Sequence, residues 1–261
     1  MSTGLAPALT GYRPMEGSFE AYKREQSCIA RRRLYPLTAF YTTYSLIVAL
    51  LSLRTAHPWI GIVFYLAGIP VWSLVEYLFH RYVLHGRFPP GKGIIRRFLH
   101  ERLDPLHWEH HERPFDGWHI SGELKDILPL FFVAAPFSFL FPVFTLPALL
   151  AGVVQSYVGE ELLHYFLHFG KFRNRYFRHL KRYHLYHHSP RGMENGYGIT
   201  SGFWDLVFRT QYPKPVRKSL FGSGGIGVGV KKMTRSEASK LFRERFKKRS
   251  LWKGSSVIKT N

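Results

Sequence analysis

The 33 residues from Ile127 to Gly159, ILPLFFVAAPFSFLFPVFTLPALLAGVVQSYVG, contain no Asp, Glu, Lys or Arg. A helix that crosses the hydrocarbon core of a bilayer needs about 20 apolar residues. The stretch is therefore too long for one span and, carried on to about Phe169, makes two, with Pro142 and Pro147 supplying the bend between them. Two shorter runs precede it: Pro36–Leu53 has no charge, and Trp59–Phe79 has only Glu76. The fold class read from this is an all-α membrane protein whose four transmembrane helices form two hairpins. A soluble core of unusually apolar helices is the competing reading, and the concentration of apolar residues into these runs argues against it.

Charge sets the expected orientation. Of the 37 Lys and Arg, all but Arg54 lie before residue 36, between Arg81 and Lys125, or after Phe169. Basic residues flanking spans are retained on the cytoplasmic side, so both termini and the loop joining the hairpins are expected there. The net charge of +20 then faces anionic lipid headgroups. Nucleic acid is excluded as a partner, because the cations are juxtamembrane or in the tail and no nucleic-acid module is present. The expected location is an integral, multi-pass one with the site on the cytoplasmic face: endoplasmic reticulum in a eukaryote, inner membrane in a bacterium.

Cys28 is the only cysteine, which rules out an intrachain disulfide and any iron–sulfur or cysteine-rich zinc site. The first apolar run follows Arg31, Arg32 and Arg33 without a small-residue cleavage site and reads as an uncleaved anchor. The organisation expected is a basic segment 1–35, a membrane-embedded domain 36–211 and a basic tail 212–261. Gly222–Gly229 lacks the Gly-Lys-Ser/Thr ending of a phosphate loop and reads as a flexible link; the tail beyond it, with Arg243, Arg245, Lys247, Lys248 and Arg249, reads as a solvated or lipid-contacting helix.

Ten of the 14 histidines fall into four tight groups. They are His80 and His85 (H-x4-H), His107, His110 and His111 (H-x2-H-H), His164 and His168 (H-x3-H), and His184, His187 and His188 (H-x2-H-H). On a helix, residues at i, i+3 and i+4 share one face, so each H-x2-H-H presents three imidazoles together. Neutral imidazoles suit zinc, iron, copper or nickel, and ten exceed what one ion takes, so two metals with about five nitrogens each are expected. Span lengths bring His80 and His164/His168 to one membrane boundary, where a cytoplasmic helical cap carrying the other two groups completes the site. His80 and His85 lie about 140° apart on an ideal helix, so they serve different metals or straddle a helix end. Glu76 and Glu161, four and three residues before ligand histidines, are expected to accept ring N–H groups rather than bind metal. His57 is on the far side of the membrane; His100, His119 and His179 are candidates for the rim of the cluster. The aromatics Trp108, Phe115, Trp118, Phe166 and Trp204 are candidate substrate contacts.

The order of these groups resembles the membrane-bound fatty acid hydroxylase and sterol desaturase superfamily, and within it the fatty acyl 2-hydroxylases. The likeness extends to E-Y-L-F-H-R at Glu76–Arg81, H-H-E-R-P-F-D-G at His110–Gly117, H-Y-F-L-H-F-G at His164–Gly170 and G-Y-G-I-T-S-G-F-W-D at Gly196–Asp205, so it covers about residues 70–210. Sterol oxidases of the superfamily open with H-x3-H, and the related carotenoid hydroxylases have H-x4-H as the third group, which makes both weaker matches. The resemblance implies a di-metal centre held by the ten histidines, functionally iron with zinc possible on isolation, that uses dioxygen to hydroxylate a lipid acyl chain. The His-Pro-Gly-Gly haem motif of fungal and animal members does not occur, and His57-Pro58-Trp59 is the only His-Pro; the reading is of a member without that N-terminal domain. With no flavin, NAD, haem or iron–sulfur motif in the chain, electrons are expected from a separate carrier, cytochrome b-type or ferredoxin-like, and its reductase. A histidine-lined metal transporter or storage protein is the alternative of another class. Transporters hold ions near the bilayer midplane, whereas these histidines lie at one boundary.

Overall fold

The computed structural model describes residues 19–86 and 88–221; residues 1–18, the Gly222–Gly229 link and the basic tail lie outside the described residues. Every regular element among the described residues is helical: α1 (Phe19–Leu53), α2 (Pro58–Leu78), α3 (Ile94–Arg97), α4 (Asp104–Glu112), α5 (Leu124–Ser138), α6 (Leu146–Phe169), α7 (Arg175–His187), α8 (Phe203–Val207) and α9 (Lys214–Phe221). Two π-helical segments continue this order without a break, Phe79–Leu84 after α2 and Phe98–Leu103 between α3 and α4.

α1 and the α2–Leu84 helix are long and apolar enough to cross a membrane. At 1.5 Å per residue the 35 residues of α1 reach about 52 Å, well beyond a hydrocarbon core of about 30 Å. Residues 19–35 therefore continue the apolar helix out of the bilayer, with Pro36 inside it. α6, with 24 residues, matches the core in length but carries Glu160, Glu161, His164 and His168 near its end; α5 has only 15 residues. The bend between them is residues 139–145, where the Thr145 hydroxyl donates to the Pro142 carbonyl at 2.7 Å, and Pro147 stands in the first turn of α6, where its missing N–H costs nothing.

α6 lies against α2 and α1, with α5 along its side. The closest approach is glycine on glycine: a Cβ at Gly68 would run into the backbone of Gly152, and one at Gly152 into the Tyr65 carbonyl. α1 meets α6 through Ser45, whose hydroxyl donates to the Ala151 carbonyl at 3.0 Å. Small residues and short hydroxyls are how helices pack where lipid removes the hydrophobic drive between them. Tyr41, Phe131, Tyr157 and Val158 fill the centre. Outward, the surface is apolar: Trp59 is 76% exposed, Leu130 70%, Val133 70% and Leu140 76%. Exposed apolar faces around a core that buries histidines and glutamates invert the soluble pattern, and the chain is an integral membrane protein.

Candidate metal centre

Two groups of imidazoles meet where α2 and α6 end. His110, His164, His168, His184 and His188, all buried, bring five ring nitrogens within 4.8 Å of one another. Beside them His80, His85, His107 and His111 bring four ring nitrogens equally close, all buried but His85. His187 joins this second group, its Nε2 lying 2.9 Å from that of His85 and its ring 4.8 Å from His80 and 4.9 Å from His111. All ten histidines singled out in the sequence are thus in one place, divided five and five.

The division follows from helix geometry. Each H-x2-H-H motif gives its i, i+4 pair to one group and its middle histidine to the other. α4 sends His107 and His111 to the second group and His110 to the first; α7 sends His184 and His188 to the first and His187 to the second. α6 supplies His164 and His168 one turn apart. The remaining pair, His80 and His85, is brought together by the π-helical turn, in which the His85 N–H bonds the His80 carbonyl at 3.0 Å. An i, i+5 bond stacks residues five apart, so the two rings are 5.0 Å apart in one group rather than 140° apart. His85 stands at the helix end, and the turn places its ring in the same group as that of His80.

The donor set fits a cation. Along the first group the Nε2 atoms follow one another at 3.1 Å (His110–His164), 3.2 Å (His164–His168), 2.8 Å (His168–His184) and 3.1 Å (His184–His188). A neutral ring nitrogen has either one proton or one lone pair, so at most two of these four contacts can be hydrogen bonds. Converging lone pairs on an ion satisfies all of them, and donors bound at about 2.0–2.1 Å sit about 3 Å apart around it. In the second group, His107 Nε2 and both ring nitrogens of His111 are buried without a hydrogen-bond partner. Burial, reinforced by neighbouring imidazoles, holds His107, His110, His111, His184 and His188 well below the ordinary histidine pKa; burial does the same to His187. The rings are neutral donors at neutral pH.

Backbone carbonyls fix the orientation of two of them. His80 Nδ1 donates to the Tyr197 carbonyl at 2.5 Å and His187 Nδ1 to the Asn195 carbonyl at 2.7 Å, leaving each Nε2 as the free donor. Glu76, expected at a ring N–H, instead accepts the backbone N–H groups of Ile199 and Thr200 and the Thr200 hydroxyl. Because the π turn begins just before His80, the residue four positions earlier no longer faces that ring. Glu161 is buried beside Tyr157 and Gly122, with Oε2 unpartnered, and Glu160 beside it is buried as well. Lys181, its pKa lowered by burial to about 8, donates to the His168 and Gly170 carbonyls at 3.2 and 2.8 Å and so ties α7 to the end of α6.

Of the aromatic candidates, Trp108 packs on His85 and His111, and Phe115 lies 6.1 Å from His168. Trp118 is stacked under Arg33, Phe166 is half-exposed against Tyr165, and the Trp204 indole donates to Ser73, so these three do not touch the histidines. Tyr197, which the side-chain reading passed over, lies 5.1 Å from His85 and 5.6 Å from His187. His100 bonds the Phe88 carbonyl, His119 pairs with Asp116, and His57 packs on Phe144; His179 lies against Tyr183, and none of the four joins either group.

Residues 65–210, which contain all ten grouped histidines, match the fatty acid hydroxylase family profile. The chain belongs to this family. It is 35% identical to a dihydroceramide fatty acyl 2-hydroxylase of Arabidopsis thaliana over 55% of this chain and 58% of that one. It is 32% identical to the fatty acid 2-hydroxylase of Macaca fascicularis over 68% of this chain and 45% of that one. With the ceramide very long chain fatty acid hydroxylase of Schizosaccharomyces pombe it shares 35% identity over 59% and 44% respectively. The chain spans about half the length of these relatives. Among solved structures, full-length scs7p, in which only the hydroxylase domain is visible, superposes with a TM-score of 0.56 at 27% identity, covering 69% of this chain and 67% of that one.

Proposed function

We propose that this chain is a membrane oxygenase that hydroxylates a lipid acyl chain at the carbon next to its carbonyl. The observation that carries the reading is the pair of histidine groups gathered together at one end of helices whose outer faces are apolar. The relatives named for fatty acyl and ceramide 2-hydroxylation support the substrate class. Residues 36–211 form the hydroxylase domain, between the basic segments 1–35 and 212–261. α1, α2, α5 and α6 form two hairpins, of which the shorter α5 reaches only about 22 Å, and α3, α4 and α7–α9 cap the hairpins on the cytoplasmic side.

The ten histidines would hold two ions, iron in the working enzyme, and these would supply dioxygen activation; overall, one oxygen atom enters the acyl C–H bond and the other leaves as water, at the cost of two electrons and two protons from outside the chain. The chain's own residues make that possible in three ways. Neutral, desolvated imidazoles bind without a proton to displace. The Tyr197 and Asn195 carbonyls hold His80 and His187 in the tautomer that aims Nε2 inward. Burial behind Trp108 and Phe115 keeps bulk water from the reacting centre. A site at the interface also matches the position attacked, since the carbon next to the carbonyl lies close to the lipid headgroup. The substrate reaches it sideways from the bilayer, and electrons arrive from a separate acidic carrier drawn to the basic face.

The test is lipid mass spectrometry of cells expressing the chain against a His187→Ala control. Added oxygen located at the 2-position of acyl chains is the expected result. Oxygen appearing only on sterols or carotenoids would refute the acyl assignment, and no product with a competent donor and candidate lipids supplied would refute the oxygenase reading.

A further inference from the structure

We propose that residues Asn195–Thr200 are a template that builds only one of the two metal positions, and that Glu76 and Asp205 are the positioning residues that hold it. The inference rests on the reading that both histidine groups hold ions. Its physical basis is a complete accounting of the loop's backbone. From Gly196 to Thr200 every N–H is donated away from the histidines. Gly196 bonds the Thr210 carbonyl at 2.9 Å; Tyr197 and Gly198 bond the Asp205 carboxylate at 2.9 and 3.0 Å; Ile199 and Thr200 bond the Glu76 carboxylate at 2.6 and 3.0 Å. With the N–H groups turned to these anchors, the Asn195 and Tyr197 carbonyls are left facing His187 and His80. Gly196 makes the turn at φ +71°, and any Cβ there would collide with the ring of Tyr212, whose hydroxyl donates to Asn195 at 3.1 Å.

Both carboxylates are buried, Glu76 at 5% and Asp205 at 0% exposure, and neither has an ion-pair partner among the described residues. Their lone pairs are spent on the loop and on Thr210: Glu76 also takes the Thr200 hydroxyl at 2.6 Å and Asp205 the Thr210 hydroxyl at 2.7 Å, which in turn meets Tyr77 at 2.7 Å. Only an all-acceptor group can serve such a set of donors; an amide of the same shape turns one acceptor into a donor. The two residues stand on α2 and α8, so the latch fastens the loop to the helix that carries His80.

The consequence is an asymmetry between positions. The group His110, His164, His168, His184 and His188 comes from α4, α6 and α7, with no ring from the π turn and no hydrogen bond from the template among the described residues. The group His80, His85, His107, His111 and His187 takes two of its five rings through the template and two from the π turn, and His85 is its one partly exposed member. Loosening the template therefore costs this position alone, by the ~10–100-fold in metal affinity that orienting partners of ligand histidines contribute.

The experiment compares wild type, Glu76→Gln, Asp205→Asn and Thr200→Val as purified, folded membrane protein, with His110→Ala as the control for the other position. Metal content after chelator titration and the cobalt(II) absorption spectrum are read for each. Wild type holding two equivalents, with Glu76→Gln and Asp205→Asn losing one of them 10–100-fold more readily while the spectrum of the retained ion is unchanged, is the expected result. Glu76→Asp, which keeps the carboxylate, should recover part of the loss. Should a carboxylate variant fail to fold, Thr200→Val removes a single hydrogen bond to Glu76 and carries the same expectation in milder form. Two equivalents held as tightly as in wild type would overturn the template, as would equal weakening of both positions. Wild type that holds at most one equivalent would instead bring down the two-metal reading on which the template stands.

Discussion

His107 and His110 are three residues apart on one helix, yet the geometry assigns them to different positions, and this can be tested by pairing substitutions. A four-donor structural zinc site binds with about 10–16 kcal/mol, so one imidazole is worth roughly 2.5–4 kcal/mol, or about 10²–10³ in affinity. His107→Ala with His111→Ala removes two donors from one group and leaves the other its full five. That double variant should keep one tight ion, while the second falls by the product of two such factors. His107→Ala with His110→Ala leaves four donors in each group. Both ions should then weaken in parallel, each by about 10²–10³, and leave together as chelator is added. Metal analysis along a chelator titration of folded, purified protein distinguishes the two patterns. A cross-group pair that keeps one tight ion, or a same-group pair that weakens both equally, refutes the five-and-five division.

Gly152→Val should destabilise the α2–α6 contact by about 1–3 kcal/mol, because the added carbons meet the Tyr65 backbone, which cannot turn aside; an unchanged thermal midpoint in detergent would contradict the close packing. Glu123, held at about 2 by Lys125, Arg33 and Arg102, has a folded pKa below its unfolded value of about 4.5, so its stabilisation is present above that value and lost as pH falls toward 2. Glu123→Gln should accordingly lower the midpoint at pH 7 and make little difference near pH 2; a gap that grows on acidification would invert the reasoning. Raising ionic strength should slow reduction by the electron carrier, and a rate indifferent to salt would remove the case for docking on the basic face.

The parts of this molecule that could be read in its sequence are those whose signal lies in side chains at regular spacing. Charge-free runs identify the apolar helices because burying a charge in lipid is costly at any register. The i, i+3, i+4 histidines identify shared helical faces because 3.6 residues per turn puts them there. Helix length is less legible: Ile127–Gly159 looks uniform in composition, yet α5 stops at Ser138, and just past the stretch Glu160 and Glu161 sit buried in α6. The shortfall has a physical cause, since α5 and α6 bury their polar ends against the cap, and that surface is made by residues elsewhere in the chain.

What stayed hidden is what the backbone does. No residue type announces an i→i+5 bond, so an ideal-helix projection separates His80 from His85 when the π turn stacks them. Carbonyls leave no trace in sequence, so nothing there marks Asn195 and Tyr197 as orienting His187 and His80, and spacing alone pairs Glu76 with the nearest histidine although its partners are N–H groups more than a hundred residues away. Which way each H-x2-H-H divides is equally a tertiary fact. α4 and α7 carry the same motif, and the imidazole pair goes to opposite groups because α6 supplies its two rings on one side and the π turn supplies its two on the other. Each position is thereby completed by a pair from one cap helix and a single ring from the other. An ion in either position must hold α4 and α7 together, so metal loss should loosen the cap as a unit even where the membrane helices stay packed.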